Sequence, residues 1–411
     1  MKLGILINKQ AKNLGDDIQS YAAAKLLPRV DYAIDREHID TFSSKHNEPV
    51  AVLMNGWWMW RKWNWPPADC IIPKLTSMHI NTYTVAQLGT PLHAEWLTGC
   101  GREYMQKYGP VGCRDHSTIA FLKEAGIKGY FSGCLTLTLP EQPKTPDAGT
   151  YVCLVDLHPK LEAEVRKRLA DTGLEIRAFS HDYDDRPVGQ SLKQRFDNVE
   201  KILTQYQNAR FVVTRRLHVT LPCIALKTPV LSLVNKSNVK NSSRWDSYAD
   251  LLHYVDESDF LSGNYDFDFH NPPPNRDAYL PIRESLIREV QAFVQQYQDV
   301  SCTLEEVRKT SYTEAEKLLW QNQMMKTALD KWMRANKRII DHKSALRKKL
   351  KQTAKTLKQY AQFIEQLQAD GVITEVSLPE VSDPVISDYE EDAKSASFWD
   401  RLRKAIRAFR N

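Results

Sequence analysis

The sequence predicts an α/β protein of two successive domains, followed by a long helical extension. Short apolar runs of strand length alternate with helical segments through the first two thirds of the chain, the order typical of α/β units. A polar, proline-containing break at 141–149 interrupts this series, after which a new α/β series begins. From 311 to 370 the pattern becomes purely helical. We therefore expect a first domain at 1–140 and a second at 150–300.

The composition is that of an ordinary globular protein and excludes several classes. Of the 411 residues, 42% are hydrophobic and 26% charged, and a net charge of +5 is too small to indicate nucleic-acid binding. The seven cysteines form no C-x-x-C pair, which favours reduced thiols in a cytoplasmic protein. The chain starts on an apolar strand without a signal-peptide cleavage site, and no apolar run reaches membrane-spanning length. No histidine, cysteine and aspartate cluster has metal-ligand spacing, so we expect neither metal nor cofactor.

One stretch of the second domain carries the strongest functional signal. The apolar run Phe211–Val213 predicts a strand, and Arg215, Arg216 and His218 follow it directly, before a short buried helix and another strand. Ligands of parallel α/β sheets bind outside the carboxyl ends of the strands. Cationic side chains at such an edge suit a phosphate or a carboxylate, although a basic surface turn is the alternative.

The first domain places charged residues at comparable positions. Asp16 and Asp17 follow the first strand, where either can cap the next helix or face a sugar hydroxyl. Arg114 and Asp115 follow a later strand, so that Arg114 is a second cation at a strand end. A structural salt bridge between these last two residues is the alternative.

Tryptophan is concentrated between residues 57 and 65, where five of the chain's ten tryptophans lie. The segment has neither a helical nor a strand period, so we expect a loop after a strand. Trp57 and Trp58 are candidates for a wall on which a sugar ring stacks. A hydrophobic cluster beneath a long loop is the alternative.

Two further segments of the second domain have predicted roles. The polar loop after the strand ending near residue 234 contains Lys236 and Lys240, which can close on an anion or simply be solvated. The helix expected at 280–297 can cross back and brace the first domain.

The C-terminal extension predicts association with other surfaces. Between 318 and 367, positions spaced alternately by four and three residues are apolar in eleven of fifteen cases, a coiled-coil pattern. We expect self-association through this seam, with an intrachain helical hairpin as the alternative. Residues 371–392 are acidic and predict a flexible tether. Residues 393–411 predict a basic amphipathic helix whose 395–411 portion suits an anionic membrane surface, or docking on a protein.

Four motifs together resemble a known family. They are Asn13-x-Gly-Asp16, Gly112-Cys-Arg-Asp115 with Ser117, Ser132-Gly-Cys-Leu-Thr-Leu-Thr-Leu139, and Arg216-Leu-His218 with Pro229. Over about residues 1–260 the chain resembles the polysaccharide pyruvyl transferases. The resemblance implies a GT-B-like fold of two facing Rossmann-like domains. It also implies transfer of the enolpyruvyl unit of phosphoenolpyruvate to two hydroxyls of a sugar, forming a pyruvate ketal and releasing phosphate.

The resemblance also implies roles for individual residues. Arg216 and His218 match the family's donor-binding Arg-Leu-His, and Arg114 matches its Gly-x-Arg-Asp motif. A donor-binding lysine of the family corresponds to either Lys236 or Lys240. We expect His218 or a nearby acid to protonate the methylene carbon of the donor, and Asp16 to act as base on the acceptor, where Asp17 also contributes.

Two other functions remain open from the sequence. One is a GT-B-type glycosyltransferase that binds a nucleotide sugar with the same cations. The other is a non-catalytic, membrane-tethered coiled-coil scaffold. If the terminal helix lies on the inner face of a bacterial membrane, we expect a cytoplasmic, peripherally attached enzyme with a lipid-linked glycan precursor as acceptor.

Overall fold

A computed structural model describes residues 1–58, 64–80, 97–182, 189–236, 244–308 and 312–370. The chain divides into a compact unit, Met1–Leu329, and a second unit, Asp330–Asn411. Both β-sheets lie in the first unit. Among the described residues, no helix is both long and apolar enough to cross a membrane.

The first sheet has six strands, and all neighbouring strands pair in parallel. Its strands are β1 (Lys2–Ile7), β2 (Tyr32–Asp35), β3 (Val50–Trp58), β4 (Ile71–Ile80), β5 (Val111–Cys113) and β6 (Gly129–Phe131). They are ordered β2-β1-β3-β4-β5-β6. The direction of winding therefore reverses between β1 and β3, and such a switch point opens a crevice at the carboxyl ends of the strands.

The second sheet repeats this topology with five parallel strands. Its strands are β7 (Tyr151–Val155), β8 (Glu175–Phe179), β9 (Phe211–Thr214), β10 (Val230–Val234) and β11 (His253–Asp256). They are ordered β11-β10-β9-β7-β8, so that the switch point lies between β7 and β9. The two predicted α/β series are thus confirmed, one on each side of the predicted linker.

Helices follow most of the strands. The α-helices are α1 (Leu14–Lys25), α2 (Gly99–Lys107), α3 (His116–Glu124), α4 (Pro159–Arg168), α5 (Leu192–Asn208), α6 (Leu217–Ala225), α7 (Glu257–Ser262), α8 (Leu280–Tyr297), α9 (Leu304–Arg308) and α10 (Glu314–Ala369). Short 3₁₀ turns occur at Arg36–Thr41, Leu135–Thr138, Ala249–Leu251 and Asp277–Tyr279. One hydrophobic core runs through α1, α5, α6 and α8 and includes side chains of both sheets, for example Ile5 and Val212.

Two local predictions are wrong, for identifiable reasons. Helix α1 is capped by Asn13, whose side chain accepts from the Gly15 N–H at 2.7 Å, and not by an aspartate of its first turn. Trp57 and Trp58 belong to strand β3 and not to a loop. A strand buried on both faces reads as a continuous apolar run without period, so its end cannot be located from the pattern.

The linker at 141–149 is tied to the end of α5. The Thr145 N–H donates to the side chain of Asn208 at 3.0 Å, and the Gly149 N–H donates to the Asn208 carbonyl at 2.7 Å. Asn208 is buried, so these contacts hold the linker against the second sheet.

Helix α8 contacts the first sheet and the segment that follows it. Arg283 donates to the carbonyls of Leu137 and Leu139 at 2.7 and 3.1 Å. Glu289 pairs with Lys74 of β4 at 3.1 Å. The second α/β series therefore ends by contributing a helix to the first.

The N-terminal turns of α10 belong to the first unit and pack against α2. Trp320 is buried against Gly99, where an added Cβ would lie 2.6 Å from the indole. The Lys317 ammonium is also buried and donates to the Pro67 carbonyl at 3.2 Å. Leu318, on the predicted seam, is 51% exposed. The docked face is therefore not the seam at this end of the helix.

Farther along, the structure agrees with one helix over most of the predicted 311–370 segment. The seam residues Leu346 and Leu350 are exposed in the single chain. The predicted tether at 371–392 and terminal helix at 393–411 lie outside the described residues.

Candidate active site

The loop that leaves the switch-point strand β1 of the first sheet meets the loop after strand β8 of the second. The Leu14 N–H donates to the His181 carbonyl at 2.9 Å, and the Asn13 side-chain amide donates to Asp182 at 3.2 Å. The start of α1 therefore lies against the loop after β8. The carboxyl edges of both sheets, where the sequence places its cations, border one site.

Arg114 is the central cation of this site. It follows β5, is 1% exposed, donates through Nη1 to the side-chain oxygen Oε1 of Gln19, and approaches His218 Nε2 to 3.2 Å. Its Nε and Nη2 have no hydrogen-bond partner within the described parts of the chain. A buried charge is costly unless it is paired, so this guanidinium is prepared to bind an anion.

His218 lies on the first turn of α6, over the start of α1. An added Cβ at Gly15 would lie 3.1 Å from both the Cβ and Nδ1 of the histidine. Burial first, then the charges of Arg114 and Arg244, hold the pKa of His218 well below its usual range. The imidazole is therefore neutral at pH 7 in the unliganded site, and an anion bound beside it would raise its proton affinity.

The two neighbouring arginines of the motif are engaged with carboxylates. Arg216 pairs through Nε with Asp156 at 2.9 Å and through Nη2 with Asp182. Arg215 pairs with Glu257 at 2.6 Å. Because two carboxylates compensate its charge, Arg216 is less available for a donor than the sequence indicates.

The predicted donor lysines do not complete the site in the described chain. Lys236 is exposed, and its ammonium lies 5.3 Å from the centre of the Tyr254 ring. Its backbone N–H donates to Asp256 at 2.9 Å. Lys240 lies outside the described residues, so the assignment of the lysine stays a prediction.

Asp17 is part of an internal brace and not of an open surface. It is 1% exposed, and Arg195 of α5 donates to its carboxylate through Nε at 2.9 Å. Arg195 also donates to the Asn8 carbonyl at 2.7 Å. The ion pair joins a helix of the first sheet to a helix of the second, which gives Asp17 a structural role in place of the expected acceptor contact.

The two candidate tryptophans have different positions. Trp58 is 1% exposed and packs edge-on against Trp65, with ring centres 5.3 Å apart, so it belongs to the core. Trp57 reaches the site: its ring lies edge-on to His79 at 5.0 Å, and the Arg244 guanidinium is 4.8 Å from its centre. Of the two candidates only Trp57 borders the site, and its role as a wall for a sugar stays a prediction.

A small polar pocket occupies the switch point of the first sheet. It is lined by Leu6, Ile7, Asn8, Asp16, Gln19, Ser20, Arg36, Asn55 and Gly56. Asp16 lines this pocket, with Oδ1 3.5 Å from the Arg36 guanidinium. Arg36 is buried, and its Nη2 has no partner among the described residues. Gln19 lines this pocket and also contacts Arg114, so the pocket adjoins the cationic site.

Nothing in the sequence pattern indicates Gln19, Arg36 or the pair His79–Asp115 as parts of the site. His79 Nδ1 lies 2.5 Å from Asp115 Oδ2, at the carboxyl edge beside Arg114. Burial lowers the pKa of His79 to about 4, although the hydrogen bond to Asp115 opposes this. Burial would raise the pKa of Asp115, but the contacts with His79 and Ser117 and the charge of Arg114 together hold this pKa well below its usual range. In the described chain no group of histidine, cysteine and carboxylate side chains is arranged to hold a metal.

Two parallel sheets with their helices meet around a buried guanidinium, two of whose nitrogens have no partner within the described residues, so the fold is that of an α/β protein with two sheets around one cationic site. A family model for polysaccharide pyruvyl transferase matches residues 13–237, more than half of the chain. The chain therefore belongs to this family and is a transferase of polysaccharide pyruvylation. The matched range includes both cationic turns.

Solved structures with distant similarity include three of known source. An uncharacterised protein from Klebsiella pneumoniae has 13% identity and a TM-score of 0.35, covering 60% of this chain and 87% of its own. S. aureus MnaA with UDP has 11% identity and a TM-score of 0.38, covering 74% and 100%. Methanocaldococcus jannaschii UDP-GlcNAc 2-epimerase has 11% identity and a TM-score of 0.32, covering 75% and 98%. Such scores carry no functional argument. Comparison with curated proteins gave no match.

Proposed function

We propose that this enzyme transfers the enolpyruvyl group of phosphoenolpyruvate to two hydroxyls of a sugar in a cell-surface glycan or its precursor, forming a pyruvate ketal. The observation that carries the proposal is the buried guanidinium of Arg114, two of whose nitrogens lack partners in the described structure, beside a neutral His218. Family membership supplies the reaction class.

The donor binds where positive charge is not yet compensated. Phosphoenolpyruvate carries a phosphate and a carboxylate, and an arginine can bind either with two parallel hydrogen bonds. Arg114 offers Nε and Nη2 for this purpose, and the nearby Arg244 adds positive charge. His218 gains a proton as the anion arrives, because the anion offsets the cations that otherwise hold its pKa down.

The acceptor sugar binds at the mouth of the adjoining polar pocket, which has room for a hydroxyl group and not for a whole ring. Its carboxylate, amide and guanidinium groups suit sugar hydroxyls, and Asp16 is the one aspartate of the first α1 turn that remains at the pocket. Trp57 offers an aromatic face or edge to the sugar at the same border of the site.

The proposed chemistry uses these groups in sequence. Protonated His218 gives its proton to the methylene carbon while a sugar hydroxyl attacks C2, and Asp16 accepts a hydroxyl proton. Phosphate then leaves with the electron pair of its bond to C2, and the second hydroxyl closes the ketal. General acid–base assistance of this kind contributes about 10²–10⁴-fold.

The extension supports a proposal about assembly and location. Exposed apolar residues of α10, among them Leu346 and Leu350, favour self-association through 318–367. The basic segment 395–411 would attach the cytoplasmic enzyme to an anionic membrane, close to a lipid-linked acceptor. Deleting 393–411 should move the protein from the membrane to the soluble fraction, and a deleted form that still sediments with membranes contradicts this attachment.

Calorimetry with phosphoenolpyruvate tests the donor. Wild type should bind it, and Arg114→Ala should weaken binding by about 10- to 100-fold, since a hydrogen bond to a charged group contributes about 1.5–3 kcal/mol. Arg215→Ala is the matched control and should bind like wild type, because Arg215 already pairs with Glu257.

Turnover is tested by mass spectrometry with phosphoenolpyruvate and methyl glycosides that carry a free 4,6-diol or cis 3,4-diol. The expected product carries pyruvate as a ketal, and His218→Ala should abolish its formation. Binding of UDP-GlcNAc in place of phosphoenolpyruvate would instead support a glycosyltransferase, and no binding of either would support a non-catalytic scaffold.

A further inference from the structure

The pair His79–Asp115 lies at the site but has no part in the chemistry described above. We infer that His79, oriented by Asp115, is the second proton acceptor of ketal formation and removes the proton from one of the two sugar hydroxyls. The inference rests on the proposed function. It gives a role to a residue outside the four family motifs.

The strand register places His79 beside Arg114. Met78 of β4 pairs with Cys113 of β5 in parallel, so the residues that follow them, His79 and Arg114, are also neighbours across the two strands. Neighbouring strands are about 4.8 Å apart, so the imidazole stands next to the cationic centre of the site. His79 also contributes to the lowered pKa of His218, which places the two histidines around the same centre.

Hydrogen bonds fix which nitrogen of His79 is available. Asp115 Oδ1 accepts from Ser117 Oγ at 2.6 Å and from the N–H and Oγ1 of Thr118, both at 2.9 Å. The other oxygen, Oδ2, faces His79 Nδ1 at 2.5 Å. A carboxylate accepts, so Nδ1 carries the proton and Nε2 keeps its lone pair. This arrangement orients a histidine base.

Capping alone does not explain this geometry. Asp115 caps α3 through Oδ1, which already binds the Thr118 N–H. The contact of Oδ2 with a 4% exposed histidine is not needed for the cap. The aromatic edge contact with Trp57 places the imidazole next to the ring that we expect to border the acceptor.

The reaction requires two proton acceptors, because two hydroxyls form bonds to C2. In the first addition an oxygen–C2 bond forms, the hydroxyl proton goes to Asp16, and the methylene carbon takes a proton from His218. After phosphate has left, the other hydroxyl bonds to C2 and gives its proton to His79 Nε2. Of the two protons released, one replaces that lost by His218 and the other leaves with phosphate, so every side chain returns to its starting state.

Kinetics with separate donor binding test this role. The assay measures phosphate release from phosphoenolpyruvate and the methyl glycoside that wild type uses best. His79→Gln should lower kcat by about 10²–10⁴-fold, while the Kd for phosphoenolpyruvate from calorimetry stays within threefold. A folded His79→Ala variant should regain at least tenfold activity with added imidazole, which a purely structural histidine would not show.

Two further variants complete the design. Asp115→Asn keeps an acceptable helix cap but no longer holds the proton on Nδ1, so kcat should fall at least tenfold. The control is His38→Gln, because His38 also pairs with an aspartate, Asp35, at 2.8 Å, but is 45% exposed. Its kcat should equal that of wild type.

The outcomes separate this inference from the proposed function. If the wild-type enzyme forms the ketal and the kcat of His79→Gln lies within threefold of the wild-type kcat, the inference is overturned and the proposed function stands. A folded His79→Ala variant that imidazole fails to activate also overturns the inference alone. A wild type that neither binds phosphoenolpyruvate nor forms a ketal overturns the proposed function and this inference with it.

Discussion

Replacing Asp17 with alanine should strongly destabilise the two-sheet unit. The carboxylate of Asp17 and the guanidinium of Arg195 are 1% and 4% exposed, and Arg195 Nε lies 2.9 Å from Oδ1. Removing one partner of a buried ion pair leaves the other charge buried and uncompensated, which costs about 3–5 kcal/mol. Domains are stable by only about 5–15 kcal/mol, so this loss is a large fraction of the total.

Urea denaturation followed by circular dichroism measures the effect. Asp17→Ala and Arg195→Met should each lower the free energy of unfolding by about 3–5 kcal/mol, whereas the double change Asp17→Leu with Arg195→Met should restore most of it, because an apolar pair leaves no charge buried. Asp197→Ala is the matched control on the same helix. Its partner Lys193 is 83% exposed, and we expect no measurable change.

The same experiment decides between two roles for Asp17. If the ion pair is structural, the folded fraction of Asp17→Ala keeps its affinity for phosphoenolpyruvate while its unfolding midpoint falls. An unchanged midpoint combined with lost turnover would refute the reasoning. It would return Asp17 to the acceptor role that the sequence indicated.

Three other changes have defined outcomes. Gly15→Ala should weaken phosphoenolpyruvate binding severalfold by calorimetry, because the new methyl group would lie 3.1 Å from His218 and displace it; unchanged affinity would place the donor elsewhere. The melting temperature should fall as the pH drops from about 6.5 toward 4. Burial lowers the pKa of His79 and of His181 to about 4 in the folded protein, so between these pH values the unfolded chain binds protons that the folded chain does not. His181→Gln should flatten that slope. Truncation after Leu329 should yield a monomer by light scattering with wild-type affinity for phosphoenolpyruvate, and an oligomeric product would exclude the coiled coil as the cause of association.

Short apolar runs that alternate with helical segments were sufficient to predict both sheets, because a buried parallel strand is apolar over its whole length. The linker at 141–149 was predicted from composition, and the helix at 280–297 was predicted from periodicity. The end of β3 could not be located, because Trp58 continues the strand into the core without a change of pattern.

The site was predictable only where a residue lies in the turn after a strand or at the start of the next helix. Arg114 follows β5 and His218 lies in the first turn of α6 after β9, and Arg114 Nη1 is 3.2 Å from His218 Nε2. His79 also stands at a strand end, but its partner Asp115 is 36 residues away, and the register that joins them is a tertiary property. The engagement of Arg216 by Asp156, 60 residues distant, was hidden for the same reason.

The crossing of α8 means that the chain cannot be dissected at its linker. A fragment ending at Gly149 would lack the helix whose Arg283 binds the carbonyls that follow β6, and the fragment beginning after it would carry that helix with nothing to cover. A neighbouring contact suggests how the chain could be reconnected. The amino group of Met1 donates to the Gln298 carbonyl at 3.0 Å, so the end of α8 and the start of β1 are adjacent. A permuted chain that runs from Leu280 through a short joint into Met1 and stops at the linker would carry every element of the first sheet in one piece.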